Sequence, residues 1–282
     1  MAFEVIFLFA LALVWIIFAT VQDLKTKEIA NWLNFSLIIF ALGFRFFYSL
    51  FIEDFTFFYQ GVIGLGIFFV LGNLLYYGRF FAGGDAKLMI ALGAILPLTN
   101  YFSFNLRIFV FFLGIFLIVG GVYSLSVSLY LGIRHYKELK KEFKIQLIKN
   151  RSLVILSLIF GIVLVLFSFS DSLFFPLGIF LVGFPYIYIY TKAVDEACMK
   201  ESVPVGQLVE GDWLYKDIVV GGKKISARWA GLDAGEISLI RKNRDRVFIR
   251  QGVPFTPVFL ISFLIFLGAW FFDLLSYWIL MF

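Results

Sequence analysis

The sequence predicts an all-α polytopic membrane protein with about seven or eight transmembrane helices and a small α+β insert before the last helix. Hydrophobic residues make up 62% of the 282 residues and charged residues 15%, whereas soluble domains have about 45–50% apolar and about 25% charged residues. Apolar stretches of about 20 residues, long enough to cross a bilayer as a helix, recur along the chain. One polar stretch interrupts them near the end.

The predicted spans follow one another with short connections. The first is interpreted as a retained span, because it is too long for the apolar region of a signal peptide and has no basic segment before it. The fourth is short and is expected to be a half-span or a span with a recessed start. The expected spans are 3–22, 32–51, 57–77, 86–98, 106–132, 152–169, 173–191 and 254–281. We therefore expect three parts: a transmembrane domain 1–191, a polar insert 192–253 and a last transmembrane helix 254–282.

The polar insert has the pattern of a small α+β domain. Residues 211–215 and 217–223 resemble short strands that meet at a glycine turn. Residues 231–237 predict a short capped helix, and 246–250 a further strand. An insert of this size holds little core of its own, so we expect it to lean on the membrane domain.

Lysine and arginine are distributed unevenly among the connections between spans. Every second connection is basic, whereas the others carry Glu53 and Asp54, an uncharged 98–105 stretch, and Asp171. Because cytoplasmic loops are enriched in Lys and Arg, we expect the N-terminus outside the cell membrane and the insert in the cytoplasm. This bias accounts for the net charge of +5, and no nucleic-acid partner is expected. The basic residues concerned are Lys25, Lys27, Arg79, Lys87, Arg134, Lys137, Lys140, Lys141, Lys144, Lys149 and Arg151.

Few residue types are available for catalysis. The chain has one cysteine, Cys198, and one histidine, His135. An internal disulfide, a Cys-x-x-Cys zinc site, a histidine metal cluster and a Ser-His triad are therefore excluded. Carboxylates, lysines and hydroxyls remain, and we expect no metal and no organic cofactor.

Two aspartates stand at the cytoplasmic ends of predicted spans, at equal depth. Asp23 ends the first span, and Asp85 follows two glycines, which let the backbone bend or approach a ligand closely. A carboxylate near hydrocarbon is costly and suggests a functional site. Taken singly, each has another interpretation: Asp85 as a helix N-cap, and Asp23 as a juxtamembrane charge beside Lys25 and Lys27.

A close pair of aspartates suits peptide hydrolysis. Two neighbouring carboxylates do not both ionise readily, so their titrations split. The charged group can deprotonate a water while the protonated group donates to the carbonyl oxygen. We interpret Asp23 and Asp85 as the catalytic pair of a membrane-embedded aspartyl peptidase.

Two motifs around these aspartates resemble the type IV prepilin peptidase family, membrane aspartyl proteases with a GxGD signature. The archaeal branch, which processes preflagellins and archaeal prepilins, is the more similar one, because it has a soluble insert before its last helix. Residues 252–257, Gly-Val-Pro-Phe-Thr-Pro, resemble its sequence at that point. The motifs are Asp23-x-Lys25-x-x-Glu28-Ile29-x-Asn31 and Gly84-Asp85-Ala86-Lys87-Leu88.

The chain departs from the family pattern in three ways. Ala82 stands where the signature usually has Gly, so Gly83 and Gly84 must supply the turn. Ala30 stands where Pro is common, which loosens the loop after Asp23. The cysteine-rich cytoplasmic loop of the bacterial branch is absent, and with it any support for a linked N-methyltransferase activity.

The resemblance implies a substrate and roles for the motif residues. The substrate would be a preflagellin-like or prepilin-like membrane protein, cut at the cytoplasmic surface between a short basic leader and an apolar helix. Glu28 would contact the leader, or be a solvated charge paired with a nearby lysine. Lys87 would hold Asp85 ionised, or extend towards the membrane surface. The supporting motif residues are Gly83, Gly84, Lys87, Lys25 and Asn31.

Three other functions fit the sequence less well. A GxGD protease of the presenilin or signal-peptide-peptidase kind is less favoured, because those enzymes have Tyr before the first aspartate and Gln22 stands here. A transporter would have charged groups near the midplane and repeated halves, and neither is visible in the sequence. A non-catalytic scaffold of a pilus or flagellum machine would make the paired motifs accidental.

Two further charges fall within predicted spans. Arg45 and Asp273 are both expected in the outer half of the membrane, where they would form a structural ion pair or each extend towards water. Cys198 and His135 are expected to have no special role.

Overall fold

The computed structural model describes residues 3–169, 171–250 and 252–274. These residues form ten α-helices and five short strands, and a 3₁₀ turn over Val205–Gln207. The helices are α1 Phe3–Thr26, α2 Asn31–Phe51, α3 Thr56–Tyr77, α4 Gly83–Gly93, α5 Phe102–Arg134, α6 Tyr136–Lys149, α7 Arg151–Phe167, α8 Phe174–Cys198, α9 Ala234–Asn243 and α10 Thr256–Phe271. The strands are β1 Lys200–Pro204, β2 Trp213–Leu214, β3 Ile218–Val220, β4 Lys223–Ile225 and β5 Arg246–Arg250.

The helices confirm a multi-pass membrane protein. Within the described part of the chain, five of them (α1, α2, α3, α5 and α8) are long and apolar enough to cross a membrane. The consecutive helices α6 and α7 are bent by 72° at their junction and give a sixth span if they count as one. The predicted total of seven or eight also includes the short helices α4 and α10. Residues 275–281 of the predicted last span lie outside the described residues.

Two segments are more helical than the sequence analysis expected. The basic connection before the sixth predicted span is a helix, α6, rather than a loop, because Lys, Glu, Leu and Gln favour helix over most of its length. Helix α8 continues to Cys198, past the predicted start of the insert at 192, because Ala, Lys and Glu there also favour helix.

The chain forms two compact units, residues 1–123 with 253–282 and residues 124–252. This division reflects which residues pack together. The predicted boundaries at 191/192 and 253/254 instead separate transmembrane segments from the polar insert, and they remain a prediction. In the first unit α4 packs on α2 and α3, and α1 packs on α2 and α10. Its core is rich in aromatic rings, such as Phe9 against Phe263 and Phe266, and Phe116 against Phe259.

In the second unit, α7 and α6 pack on α8, and a small sheet follows. Strand β5 lies between β1 and β2, antiparallel to both. Strands β3 and β4 form a hairpin whose turn is Gly221-Gly222, both with positive φ. The predicted capped helix and strand 246–250 correspond to α9 with its Asp233 capping box and to β5. The predicted pairing of strands 211–215 and 217–223 is wrong, because β2 pairs with β5 and β3 pairs with β4.

The sheet is attached to the end of α8 by polar contacts. Arg250, at the end of β5, pairs with Asp195 and, at 3.3 Å, with Glu196. The hydroxyl of Tyr215 also donates to Glu196. Asp195 and Glu196 lie within the predicted insert 192–253, so the expectation that the insert leans on the membrane domain stays a prediction.

The predicted ion pair between Arg45 and Asp273 is wrong. Arg45 is fully buried, and its guanidinium donates to four backbone carbonyls: Ala94 at 2.8 Å, Phe57 at 2.9 Å, Ile95 at 3.2 Å, and Pro97. Carbonyls at and beyond the end of a helix have no intrahelical partner, and the C-terminal end of α4 carries partial negative charge. That end, rather than a carboxylate, balances the buried cation.

Candidate active site

Asp23 lies in the last turns of α1. Lys27 has a φ of 58°, which ends the helix, and its N–H donates to the Asp23 carbonyl at 2.7 Å. The turn that follows buries Ile29 and leads into α2. Asp23 is only 6% exposed.

The Asp23 carboxylate accepts two hydrogen bonds from one residue, Thr256. Its Oδ2 lies 3.2 Å from the Thr256 backbone nitrogen and 2.8 Å from the Thr256 hydroxyl. Thr256 is the first residue of α10 and is fully buried. Because N–H groups of a first helical turn have no intrahelical partner, Asp23 stabilises the start of α10 from another helix. The carboxylate also lies at the positive end of that helix dipole.

The segment before α10 is fixed by two more hydroxyls. Thr20, one turn before Asp23, donates to the Ile16 carbonyl at 2.8 Å and to the Thr256 carbonyl at 3.4 Å. The Tyr123 hydroxyl donates to the Pro254 carbonyl at 2.8 Å, and Tyr123 interacts electrostatically with Asp23. Residues 254–256 are thus held from α1 and from α5.

Asp85 is the third residue of α4 and is 8% exposed. The N-cap residue is Ala82, so the interpretation of Asp85 as an N-cap is wrong. Its carboxylate instead interacts with the backbone N–H of Ala82. Of the two glycines, Gly84 makes the close approach: a Cβ there would lie 3.1 Å from the Cβ of Ile29. Gly84 therefore lets the start of α4 pack against the turn after Asp23.

The two aspartates lie on segments that pack together, because Gly84, next to Asp85, contacts Ile29 in the turn after Asp23. Both aspartates are buried, and the charge of Asp23 acts on Asp85. A buried pair of interacting carboxylates favours the state in which one is ionised and the other protonated. Such a pair can supply a base and an acid to the same reaction.

Of the other motif residues, Lys87 and Asn31 contact each other, whereas Lys25 and Glu28 are exposed. The Lys87 ammonium donates to Asn31 Oδ1 at 2.6 Å, which connects α4 to the start of α2. In the described part of the chain Lys87 makes no ion pair with Asp85. Lys25 and Glu28 are exposed, and Glu28 forms no ion pair with Lys25 or Lys27 among the described residues.

Sequence reasoning missed Thr256, Thr20 and Tyr123 as residues around Asp23. The signal available for Thr256 was its place before a proline at the start of the last apolar stretch, a common start of a helix. Nothing in the sequence indicated which side chain that helix start would meet. Across residues 3–169, 171–250 and 252–274, no three His, Cys, Asp or Glu side chains are grouped so that they could hold a metal ion.

Comparison with known proteins supports the resemblance over the first unit. Residues 10–125, which include both aspartates, match the model of the type IV leader peptidase family. The chain is 32% identical over 82 residues to a preflagellin peptidase of Methanococcus maripaludis, and 30% identical over 92 residues to one of Methanocaldococcus jannaschii. These alignments cover 29% and 33% of this chain and 35% and 39% of the relatives. The chain thus spans little more than a third of the relatives that it matches. No solved structure matches it.

Proposed function

We propose that the chain is a membrane-embedded aspartyl endopeptidase that removes the short basic leader of preflagellin-like or prepilin-like proteins at the cytoplasmic membrane surface. The observation that carries the proposal is the pair of buried, interacting carboxylates of Asp23 and Asp85. Both lie in the segment that is similar to the type IV leader peptidase family.

In this proposal the two aspartates divide the work of hydrolysis. The ionised carboxylate takes a proton from a water, whose oxygen bonds to the carbonyl carbon of the scissile peptide. The protonated carboxyl donates its proton to the carbonyl oxygen. The carboxyl that took the water proton then gives that proton to the amine nitrogen as the C–N bond breaks. The other carboxylate takes a proton from a hydroxyl of the intermediate, so that both aspartates return to their starting states. Aspartates serve in both roles, so no metal or organic cofactor is required.

The substrate class is supported by the two relatives named as preflagellin peptidases. A leader rich in Lys and Arg would meet the exposed carboxylate of Glu28, five residues after Asp23. The proposal assigns catalysis to the transmembrane domain 1–191 and places the N-terminus outside the cell membrane. The basic connections, both aspartates and the insert 192–253 would then face the cytoplasm.

Replacement of either aspartate tests the proposal. We expect Asp23→Asn and Asp85→Asn to abolish cleavage of a leader-bearing preflagellin in membranes, a loss of at least about a thousandfold, because each removes one half of the acid–base pair. The measurement is the appearance of mature substrate on a gel at equal amounts of membrane-inserted enzyme.

Asp54→Asn is the matched control. Asp54 Oδ1 accepts the N–H of Thr56 at 2.8 Å at the start of α3, and asparagine supports a helix start as well as aspartate does. This variant should cleave at the wild-type rate. Unchanged cleavage by either Asp23→Asn or Asp85→Asn would contradict the two-aspartate mechanism.

A further inference from the structure

The two aspartates of the candidate site have unequal hydrogen-bond partners. Asp23 Oδ2 accepts both the N–H and the hydroxyl of Thr256. Asp85 interacts with one donor, the N–H of Ala82, and no side chain among the described residues donates to it. Hydrogen bonds that a carboxylate accepts favour its ionised form, and burial without them favours the protonated form.

The charged groups around Asp23 do not offset this difference. Lys25, on its own helix, and Lys27, just after that helix, are both exposed and form no ion pair with it in the described chain. Helix α4 contributes Asp85 and Lys87, and the Lys87 ammonium is bound to Asn31 of α2. Helix α5 contributes the neutral hydroxyl of Tyr123, and α10 begins with the uncharged Thr256. The donors of Thr256 are therefore the main local influence that distinguishes the two carboxylates.

We propose that Thr256 is a positioning residue that keeps Asp23 ionised, which makes Asp23 the base that activates water and Asp85 the acid that protonates the carbonyl oxygen. This assignment rests on the proposed function. It also explains why residues 254–256 are fixed by hydroxyls from two sides, Thr20 and Tyr123. If Thr256 shifted, Asp23 would lose both donors together.

The test compares variants of Thr256 in the full-length, membrane-inserted protein. Thr256→Val keeps the shape and the backbone N–H but removes the hydroxyl, whereas Thr256→Ser keeps the hydroxyl. We expect Thr256→Val to lower kcat about tenfold and leave KM within about twofold, because the donor acts on the reacting carboxylate rather than on substrate binding. The acidic limb of its pH–rate profile should move to higher pH by about one unit. Thr256→Ser should restore both.

Ser262→Ala is the matched control. Ser262 lies on the same helix, is fully buried, and its hydroxyl has no hydrogen-bond partner among the residues that the structure describes. Its removal should leave the pH–rate profile unchanged. A Thr256→Val profile that overlays the wild type, in a preparation where Asp23→Asn is inactive, would overturn the positioning role and leave the proposed function intact. Full activity of Asp23→Asn and Asp85→Asn would instead overturn the proposed function.

Infrared spectroscopy tests which aspartate is protonated, and this test remains valid even if Thr256→Val does not fold. The band of a protonated carboxyl should disappear in Asp85→Asn at every pH. In Asp23→Asn it should persist at mildly acidic pH, because loss of the Asp23 charge makes Asp85 easier to ionise near neutral pH. The reverse result would exchange the roles of the two aspartates and contradict the assignment.

Discussion

At the scale of single residues, Arg45 is the clearest case of a buried charge that is stabilised without a carboxylate. Its four donated hydrogen bonds fix the carbonyls of Phe57 and of the segment that follows α4. A guanidinium suits this task because its N–H groups lie in a rigid plane and point in several directions at once. Removal of one partner from such a buried network leaves the others unsatisfied.

We therefore expect Arg45→Met to lower the free energy of unfolding by about 3–5 kcal/mol, since several buried carbonyls lose their donor. Arg45→Lys should recover only part of the loss, because an ammonium has fewer donors and no planar geometry. Thermal unfolding in detergent measures both. Arg134→Met, at an exposed arginine in the last turn of α5, serves as the control and should change stability little. Equal stability of Arg45→Met and the wild type would show that the carbonyls find other partners.

Residues near the site divide into those that the sequence predicts and those that it does not. Asp23 and Asp85 are predicted as a pair from their motifs and equal depth, and the structure buries both of them. Thr256 is not predicted, because its contact with Asp23 joins residues far apart in the chain and local patterns carry no information about it. The predicted ion pair of Arg45 with Asp273 is wrong because Arg45 binds backbone carbonyls instead. Every residue has a carbonyl, so the sequence does not show which carbonyls lack a hydrogen-bond donor.

At the scale of elements, α3 and α4 approach each other through glycines. A Cβ on Gly93 would lie 2.6 Å from the Gly64 carbonyl oxygen and 2.5 Å from the Phe68 Cβ. A Cβ on Gly64 would meet the Gly93 carbonyl and lie 2.5 Å from Pro97 Cγ. Small residues at such contacts let membrane helices pack closely. This contact sets the position of α4, which carries Asp85.

We expect Gly64→Ala to lower the free energy of unfolding by about 1–3 kcal/mol, because the methyl group has no space between the two backbones. Cleavage should fall as well, since displacement of α4 moves Asp85. Unfolding in detergent and cleavage of a preflagellin measure the two effects. Gly66→Ala, on the same helix with nothing within 4 Å of the added carbon, should be neutral or slightly stabilising. If the two variants behave alike, the close contact does not hold α4 in place.

The elements themselves were predicted with mixed success. Most long apolar helices and strand β5 follow from composition and periodicity. Helix α6 is not evident from the sequence because its many charges are typical of a cytoplasmic loop, although the same residue types favour helix. The glycine contact between α3 and α4 could not be predicted, because other glycines, such as Gly66, face open space.

At the scale of the whole molecule, the two units are stabilised in different ways. The first has one large apolar cluster. In the second unit, the insert has only a small apolar cluster, and many of its polar contacts are exposed. Lys224, 2.8 Å from Asp217, lowers the pKa of that carboxyl below its ordinary value. The backbone N–H of Glu236, which Asp233 accepts at the start of α9, lowers the pKa of Asp233.

Because these pKa values are lower in the folded state, their contribution to stability is present above the ordinary value of 3.8 and is lost as the pH falls through the folded values. We expect the amides of α9 to keep their protection from hydrogen exchange between pH 7 and 5 and to lose it several-fold below about pH 4. Exchange measured by mass spectrometry and corrected for the intrinsic rate tests this.

Two variants separate Asp233 from acid effects elsewhere in the insert. Asp233→Asn still caps the helix but does not titrate, so it should reduce the acid sensitivity of α9. Asp245→Asn, at an exposed aspartate in the same insert, should leave it unchanged. Wild-type acid sensitivity in Asp233→Asn would show that the capping carboxylate does not control α9.

The contact between Asp23 and Thr256 has a consequence for the biosynthesis of the protein. The two residues are 233 positions apart, so a ribosome that adds about 5–20 residues per second needs roughly 10–50 seconds to pass from one to the other. Once Asp85 has been translated, the nascent chain holds both aspartates for the rest of that interval, but the helix start that donates to Asp23 has not been translated. The site is therefore complete only after the last helix has been translated and inserted into the membrane. A chain that stalls or terminates before that point lacks the donors of Thr256 and is inactive.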